Sequence, residues 1–410
     1  MNVLLCPLSD PGYLYPAIAV GLELQRRGDN VHVLGRTSAA GPATAAGLRY
    51  ISAKEYGEPS VFTVGRWFHV AAGQYRTISR AALDVHADVL LTSLLCHGAL
   101  FAGEVLDLPV VTLGFAAYLW PYAGGAQSEP VSPAARAWRL AGMFRHYLDA
   151  RAEAGLPALA HAEPSHRRLV GTELLLRGCA ELEYPGAVLP DAVTHVGPCR
   201  WEPQADSAEL DRIDRHLRRI GKPVVYAHLG RIFGGTSPWP LLNSAFTGGP
   251  MQAVVELGRS DDAQPTAGAD LLTVREPWLG PLVDRSELVL TSATSAPVLG
   301  ALSLAKPLAV MPAGSEQPLL AEACVRAGVA VRLSGEPADA AVRLLNAAAG
   351  DPGLSARASQ LATALAPDGP ARAADRVEAA ARASGPARLG SASQGMQTTA
   401  QRPKGRITAV

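Results

Sequence analysis

The stretch Leu288-Val289-Leu290-Thr291-Ser292-Ala293-Thr294-Ser295-Ala296-Pro297, with Leu308-Ala309-Val310-Met311-Pro312-Ala313-Gly314-Ser315-Glu316-Gln317-Pro318 after it, decides the fold. Each half opens on a short apolar run, crosses a small polar loop and reaches a proline suited to the first turn of a helix. Two strand-to-helix units in succession, the second closed by Gly328, read as parallel sheet covered by helices. Upstream, Pro223 to Leu229, Met251 to Glu256 and Leu271 to Val274 supply further buried strands of the same series. The chain start repeats the design. A strand from Asn2 to Cys6 leads through a loop, Pro7 to Tyr15, into a helix expected to begin at Pro16 and to close at Gly28. Val31 to Leu34, Asp88 to Leu91 and Pro109 to Leu113 follow as strands, and Leu174 to Glu183 and Leu189 to Pro198 as strand and loop.

The 410 residues exceed one compact core and suit two lobes of roughly 200 residues each. The expected division is an N-terminal lobe over 1–200, a C-terminal lobe over 201–383 and a disordered tail over 384–410, where apolar periodicity stops. An apolar fraction of 48% against 18% charged residues is that of a folded globular chain. Lys+Arg 37 balance Asp+Glu 37, so no nucleic-acid or anionic-membrane partner is implied. Five scattered cysteines give neither a disulfide framework nor a zinc site, and no basic leader precedes the first strand. A cytoplasmic location is expected, with no stable membrane insertion, and a homodimer is compatible with the sequence.

In doubly wound sheets ligands bind outside the carboxyl ends of the strands, so the loops there carry the functional information. Ser9-Asp10-Pro11-Gly12-Tyr13 places Asp10 and Tyr13 at the mouth of a cleft, although an ordinary tight turn has the same composition. Ser292, Thr294 and Ser295 stand at a helix N-terminus, where hydroxyls, backbone N–H groups and the helix dipole form a cradle for a diphosphate; the same residues also serve as caps. Glu316 beside Gln317 can accept from and donate to neighbouring sugar hydroxyls, or simply favour a helix start. His228-Leu229-Gly230-Arg231 offers a guanidinium to a phosphate, and Trp278 an aromatic face to a nucleobase; a surface arginine and a structural tryptophan are the plainer alternatives. Phe115, Tyr118 and Trp120 suit the wall of an apolar acceptor site or the packing of the lobe. There is no Gly-x-Gly-x-x-Gly, no P-loop, no Gly-x-Ser-x-Gly and no His-Glu-x-x-His.

Together these loops resemble the family 1 glycosyltransferases, particularly the bacterial enzymes that decorate antibiotics and other natural products. The likeness covers nearly all of residues 1 to 383. Gly12-Tyr13-Leu14-Tyr15-Pro16 sits where the family has Gly-His-x-x-Pro, Leu189 to Pro198 is similar to its segment leading out of the first lobe, and Val225 to Gly230 to the strand opening the second. The block Leu288 to Gly328, with Glu316-Gln317-Pro318, is similar to its donor-binding signature.

The resemblance implies a GT-B architecture: α/β, with two doubly wound Rossmann-like domains facing a central cleft. It implies an inverting transfer from a dTDP- or UDP-sugar to a small-molecule aglycone, with no cofactor and no metal. Three departures stand out. Tyr13 replaces the family's catalytic histidine, Ser93 lies where an orienting Asp is expected, and Thr291-Ser292-Ala293-Thr294 replaces a His-His-Gly-Gly phosphate motif; Trp278 also stands where a Gln is usual. A tyrosine with an ordinary pKa of about 10 is a poor base at neutral pH, so Tyr13 is expected to position the acceptor. Asp10 is the leading substitute base, with His97 and Glu316 behind it. A non-catalytic homologue that binds a nucleotide sugar is one competing reading, and a sugar-nucleotide epimerase or lipid-carrier glycosyltransferase another.

Overall fold

The computed structural model describes residues 1–53, 68, 70–118, 133–159, 164, 166–228, 237–258, 265–314, 316–365 and 368–385. The positions expected to form the tail from 386 onward lie outside the described residues.

The first sheet contains β1 (Asn2–Cys6), β2 (Asn30–Gly35), β3 (Arg49–Ser52), β4 (Val89–Ser93), β5 (Val110–Leu113), β6 (Glu173–Leu176) and β7 (Val193–His195), in the order β3-β2-β1-β4-β5-β6-β7. The second contains β8 (Val224–His228), β9 (Gln252–Glu256), β10 (Leu271–Val274), β11 (Leu288–Thr291), β12 (Leu308–Val310) and β13 (Ala330–Arg332), in the order β10-β9-β8-β11-β12-β13. Every pairing in both sheets is parallel, for instance Leu5 with Leu91 and Thr291 with His228. Strands buried on both faces need apolar residues at every position, which is why Val-Leu-Leu and Leu-Val-Leu run without alternation.

In both sheets the chain starts at the centre, runs to one edge and returns to build the other half. The strand order therefore reverses between β1 and β4, and again between β8 and β11. At such a reversal the flanking connections leave in opposite directions and open a crevice at the strands' carboxyl ends.

The first helix spans Pro11–Arg26, five residues earlier than the expected start at Pro16. Pro11 takes the first helical position, where its missing N–H costs nothing, and Pro16 is accommodated inside the helix. The shift matters because it makes Asp10 the N-cap residue and puts Tyr13 on the first turn. Gly28 follows with φ 96° and ends the element as expected.

The final helix, Gly369–Ser384, crosses back to the first lobe, whereas the sequence assigned residues up to 383 to the second. Its Ala373, Ala374, Val377 and Ala380 share a core with Val3, Leu5, Ala17 and Val20. Arg27 holds it at the surface by pairing with Asp375 at 2.6 Å and Glu378 at 3.3 Å, and Arg376 pairs with Glu173. Small side chains on its inner face permit the close approach. A Cβ on Gly369 would fall 2.2 Å from the Pro198 carbonyl oxygen. No helix among the described residues is long and apolar enough to cross a membrane.

Candidate functional site

A cavity of about 930 Å³ lies between the carboxyl ends of the two sheets, with walls from both lobes. Asp10, Tyr13, Phe115 and Arg177 come from the first lobe; His228, Trp278, Thr294, Ser295 and Glu316 come from the second.

The loop after β1 is fixed from beneath. The Leu8 N–H donates to Ser93 Oγ at 3.0 Å and the Arg36 N–H donates to Ser9 Oγ at 3.1 Å. Ser93, which lies where the resemblance implies an orienting Asp, thus accepts from the backbone of the loop that carries Asp10. The Asp10 carbonyl accepts from the N–H groups of Tyr13 and Leu14 at 2.9 and 2.8 Å, while its carboxylate does not cap the helix. The Tyr13 ring leans on Phe115 with centroids 6.1 Å apart, so the cavity wall presents an aromatic pair beside a carboxylate.

His97 stands elsewhere. It is buried and stacked on Phe68, with ring centroids 3.8 Å apart, and it does not line the cavity. Burial pushes its pKa down to about 3, because the imidazolium would lose its hydration. Of the three candidate bases, Asp10 and Glu316 face the cavity and His97 does not. Tyr118 is buried behind the wall, its N–H donating to Glu183 Oε1 at 2.7 Å, and burial raises its pKa.

In the second lobe the helix Ser295–Ser303 starts directly after β11, with Thr294 as its N-cap and Thr294, Ser295, Ala296 and Pro297 on the cavity wall. An N-terminal turn facing the cavity supplies backbone N–H groups and the positive end of the dipole to an anion. Ala293 adopts φ 64°, a left-handed conformation that turns the strand sharply into this helix, and its N–H donates to Thr291 Oγ1 at 3.1 Å. Ser292 is buried behind the turn and does not reach the cavity wall.

Glu316 lines the cavity from the N-terminus of the helix Gln317–Arg326. Gln317, expected to share sugar contacts, is fully buried beneath this loop. Its Oε1 accepts from the Ala313 and Gly314 N–H groups at 2.8 and 3.2 Å, so it braces the turn that presents Glu316. Trp278 is 98% buried yet contributes to the wall. It precedes a short helix whose first N–H groups, Leu279 and Gly280, donate to the Glu202 carboxylate. His228, at the end of β8, also lines the wall, and burial lowers its pKa. The expected Gly230, Arg231 and Trp120 lie outside the described residues.

Sequence reasoning missed Arg177, Tyr226 and Glu256, all on the wall. Arg177 follows directly on β6 (Glu173–Leu176), whose last three residues are apolar and buried, and a charge at the carboxyl end of that run was the available signal. Glu256, at the end of β9, accepts from the Gly258 and Glu276 N–H groups at 2.8 and 2.9 Å, and burial raises its pKa.

No known family's sequence profile matches the chain, and no curated protein matches it. Solved structures do. The glycosyltransferase of kitacinnamycin superposes with a TM-score of 0.71 at 19% identity, over 92% of this chain and 98% of that one. The calicheamicin glycosyltransferase gives 0.66 at 19% identity, over 92% and 97%. The spinosyn rhamnosyltransferase, solved with thymidine diphosphate, gives 0.61 at 20% identity, over 89% and 96%. Two parallel α/β sheets, and superposition over about nine-tenths of the chain on these structures, establish that the chain has the GT-B fold.

Proposed function

We propose that the protein is an inverting, metal-independent glycosyltransferase that moves a sugar from a dTDP- or UDP-sugar to a small natural-product acceptor. The observation that carries this is the meeting, on one cavity, of a helix N-terminus suited to a diphosphate and a first-lobe carboxylate suited to a general base. The neighbours' names and the thymidine diphosphate held by one of them support the same assignment.

Thr294, Ser295 and the first turn of their helix bind the diphosphate, fixed donors acting where negative charge grows as the anomeric C–O bond breaks. Trp278 stacks on the base and Glu316 accepts from sugar hydroxyls. The acceptor lies against Tyr13 and Phe115. Its nucleophilic oxygen attacks the anomeric carbon from the face opposite the diphosphate. The proton passes to the Asp10 carboxylate and the electron pair of the broken bond leaves with the nucleoside diphosphate.

Tyr13 in place of the family's histidine, and Ser93 committed to the Leu8 N–H, favour one second reading: a homologue that binds a nucleotide sugar without turnover. Calorimetric titration with thymidine and uridine diphosphates and their sugars, joined to product analysis over a panel of aromatic and polyketide acceptors, tests both. Binding with turnover supports the transferase, binding without turnover the homologue, and no binding removes the donor assignment altogether.

A further inference from the structure

Arg177 is 5% exposed, lines the cavity and follows β6 directly. Its Nε donates to the Gly114 carbonyl at 2.7 Å, and its backbone N–H donates to the Phe115 carbonyl at 3.1 Å. Two turns of chain flank it, and both dock on the second lobe: Ala116 and Ala117 on one side, Cys179 and Leu182 on the other, share a core with Ala293 and Val298. The approach is so close that a Cβ on Gly178 would lie 2.0 Å from the Ala116 carbonyl oxygen. Next to it, the Ala116 N–H donates to Ser295 Oγ at 3.4 Å. Arg177 is therefore held where the lobes meet, next to the first turn of the helix Ser295–Ser303, and within electrostatic range of Tyr13 and Glu316.

A guanidinium taken this far out of water is costly unless an anion answers it. Among the described residues, no carboxylate forms an ion pair with Arg177, and its one side-chain hydrogen bond is to a carbonyl. Among the described residues the wall carries five carboxylates and two guanidinium groups, of which the other, Arg200, is exposed. A diphosphate entering this largely acidic cavity has one buried cation among the described residues to meet.

Building on the transferase reading above, we propose that Arg177 binds the diphosphate of the nucleotide from the first lobe, opposite the helix N-terminus of the second, and neutralises it as it leaves. The acceptor lobe thereby takes part in donor binding. The nucleotide clamps the two lobes together through the Arg177 guanidinium on one side and Thr294 and Ser295 on the other.

The test is calorimetric titration of wild type, Arg177→Met and Arg177→Lys with thymidine diphosphate and with thymidine, alongside thermal melts without ligand. The expected result for Arg177→Met is a roughly 10- to 150-fold loss of diphosphate affinity, the span of a hydrogen bond to a charged group. Thymidine affinity stays unchanged, and the ligand-free melting temperature stays at or above that of wild type, since an unanswered buried charge has been removed. Arg177→Lys, which keeps the charge without the fork, falls between the two. Diphosphate affinity within about twofold of wild type in Arg177→Met overturns the proposal, and assigns the guanidinium to an acceptor carboxylate or to the fold. If Arg177→Met does not fold, unchanged affinity in Arg177→Lys overturns it equally. Wild type that binds neither these ligands nor uridine diphosphate and uridine defeats the transferase reading itself, a result distinct from either.

Discussion

The backbone N–H of Ala116, in the first lobe, donates to the Oγ of Ser295, in the second, across 3.4 Å. A loop that follows β5 thus touches the first turn of the helix that follows β11, and the proposed acceptor wall and proposed diphosphate cradle are neighbours. Ser295→Ala removes this bond and one hydroxyl of the cradle together. The expected outcome is a stability loss of about 1 kcal/mol in chemical denaturation, with thymidine diphosphate affinity reduced about three- to tenfold. An affinity equal to wild type would detach Ser295 from the donor site.

Asp10 and Tyr13 share one helical turn but are assigned different tasks, and substitution separates them. Asp10→Asn is expected to lower kcat by about a hundred- to ten-thousandfold, the usual worth of a general base, with donor affinity unchanged. Tyr13→Phe keeps the ring that leans on Phe115 and is expected to raise the acceptor KM while holding kcat within about tenfold. Steady-state kinetics with the acceptor varied at saturating donor reads both. A kcat collapse in Tyr13→Phe with a modest effect in Asp10→Asn would exchange the roles.

The central strands were legible in the sequence because they are buried on both faces: β1 after its first residue and β11 throughout carry uninterrupted apolar or β-branched runs between turn residues. Arg49–Ser52 and Ala330–Arg332 lie at sheet edges, carry polar residues and were not singled out. The helix start at Pro11 was hidden by a second proline at position 16, which local rules treat as the stronger signal. Among site residues, Asp10, Tyr13, Thr294, Ser295 and Glu316 were readable because they follow strands directly. His97 follows a strand as well, but at left-handed Leu95 (φ 73°) the backbone takes a turn that sequence does not announce, and His97 packs against Phe68. Gln317 was expected to face a ligand and braces a loop, while Arg177 carried no expectation and lines the cavity, for a tertiary reason. Whether a polar side chain braces a loop or faces a cavity depends on the other lobe, which no local pattern encodes.

Trp278 and Arg177 are assigned to different ends of the nucleotide, so their variants should differ in a predictable way. Trp278→Leu retains apolar volume but removes the aromatic face. It is expected to weaken thymidine and thymidine diphosphate alike by about 1–3 kcal/mol, the range of base stacking on an aromatic side chain. Loss confined to the diphosphate would place Trp278 away from the base.

The C-terminal helix is fastened to the first lobe by a charge network that titrates in acid. Hydrogen bonds from Arg26 and Arg27 hold the Glu23 pKa down at about 2, against an ordinary 4.5. Its folded pKa lies below the unfolded one, so its stabilisation is complete above about pH 4.5 and is lost as the pH falls toward 2. Because the network sits at the surface, its worth at neutral pH is about 1 kcal/mol or less. Melting curves of wild type and Glu23→Gln should therefore differ at pH 7 and converge near pH 2. A constant difference across that window would show that Glu23 acts through packing alone.

The central claim is that the cavity transfers a sugar to an acceptor bound against Tyr13 and Phe115, with Asp10 taking the proton. Its most direct test is release of nucleoside diphosphate from a dTDP- or UDP-sugar, followed with and without acceptor in wild type and in Asp10→Asn. The account predicts release that requires the acceptor, yields a glycosylated product of inverted anomeric configuration, and falls at least a hundredfold in Asp10→Asn. Donor that binds but is never consumed with any acceptor, or product whose anomeric configuration is retained, would contradict it.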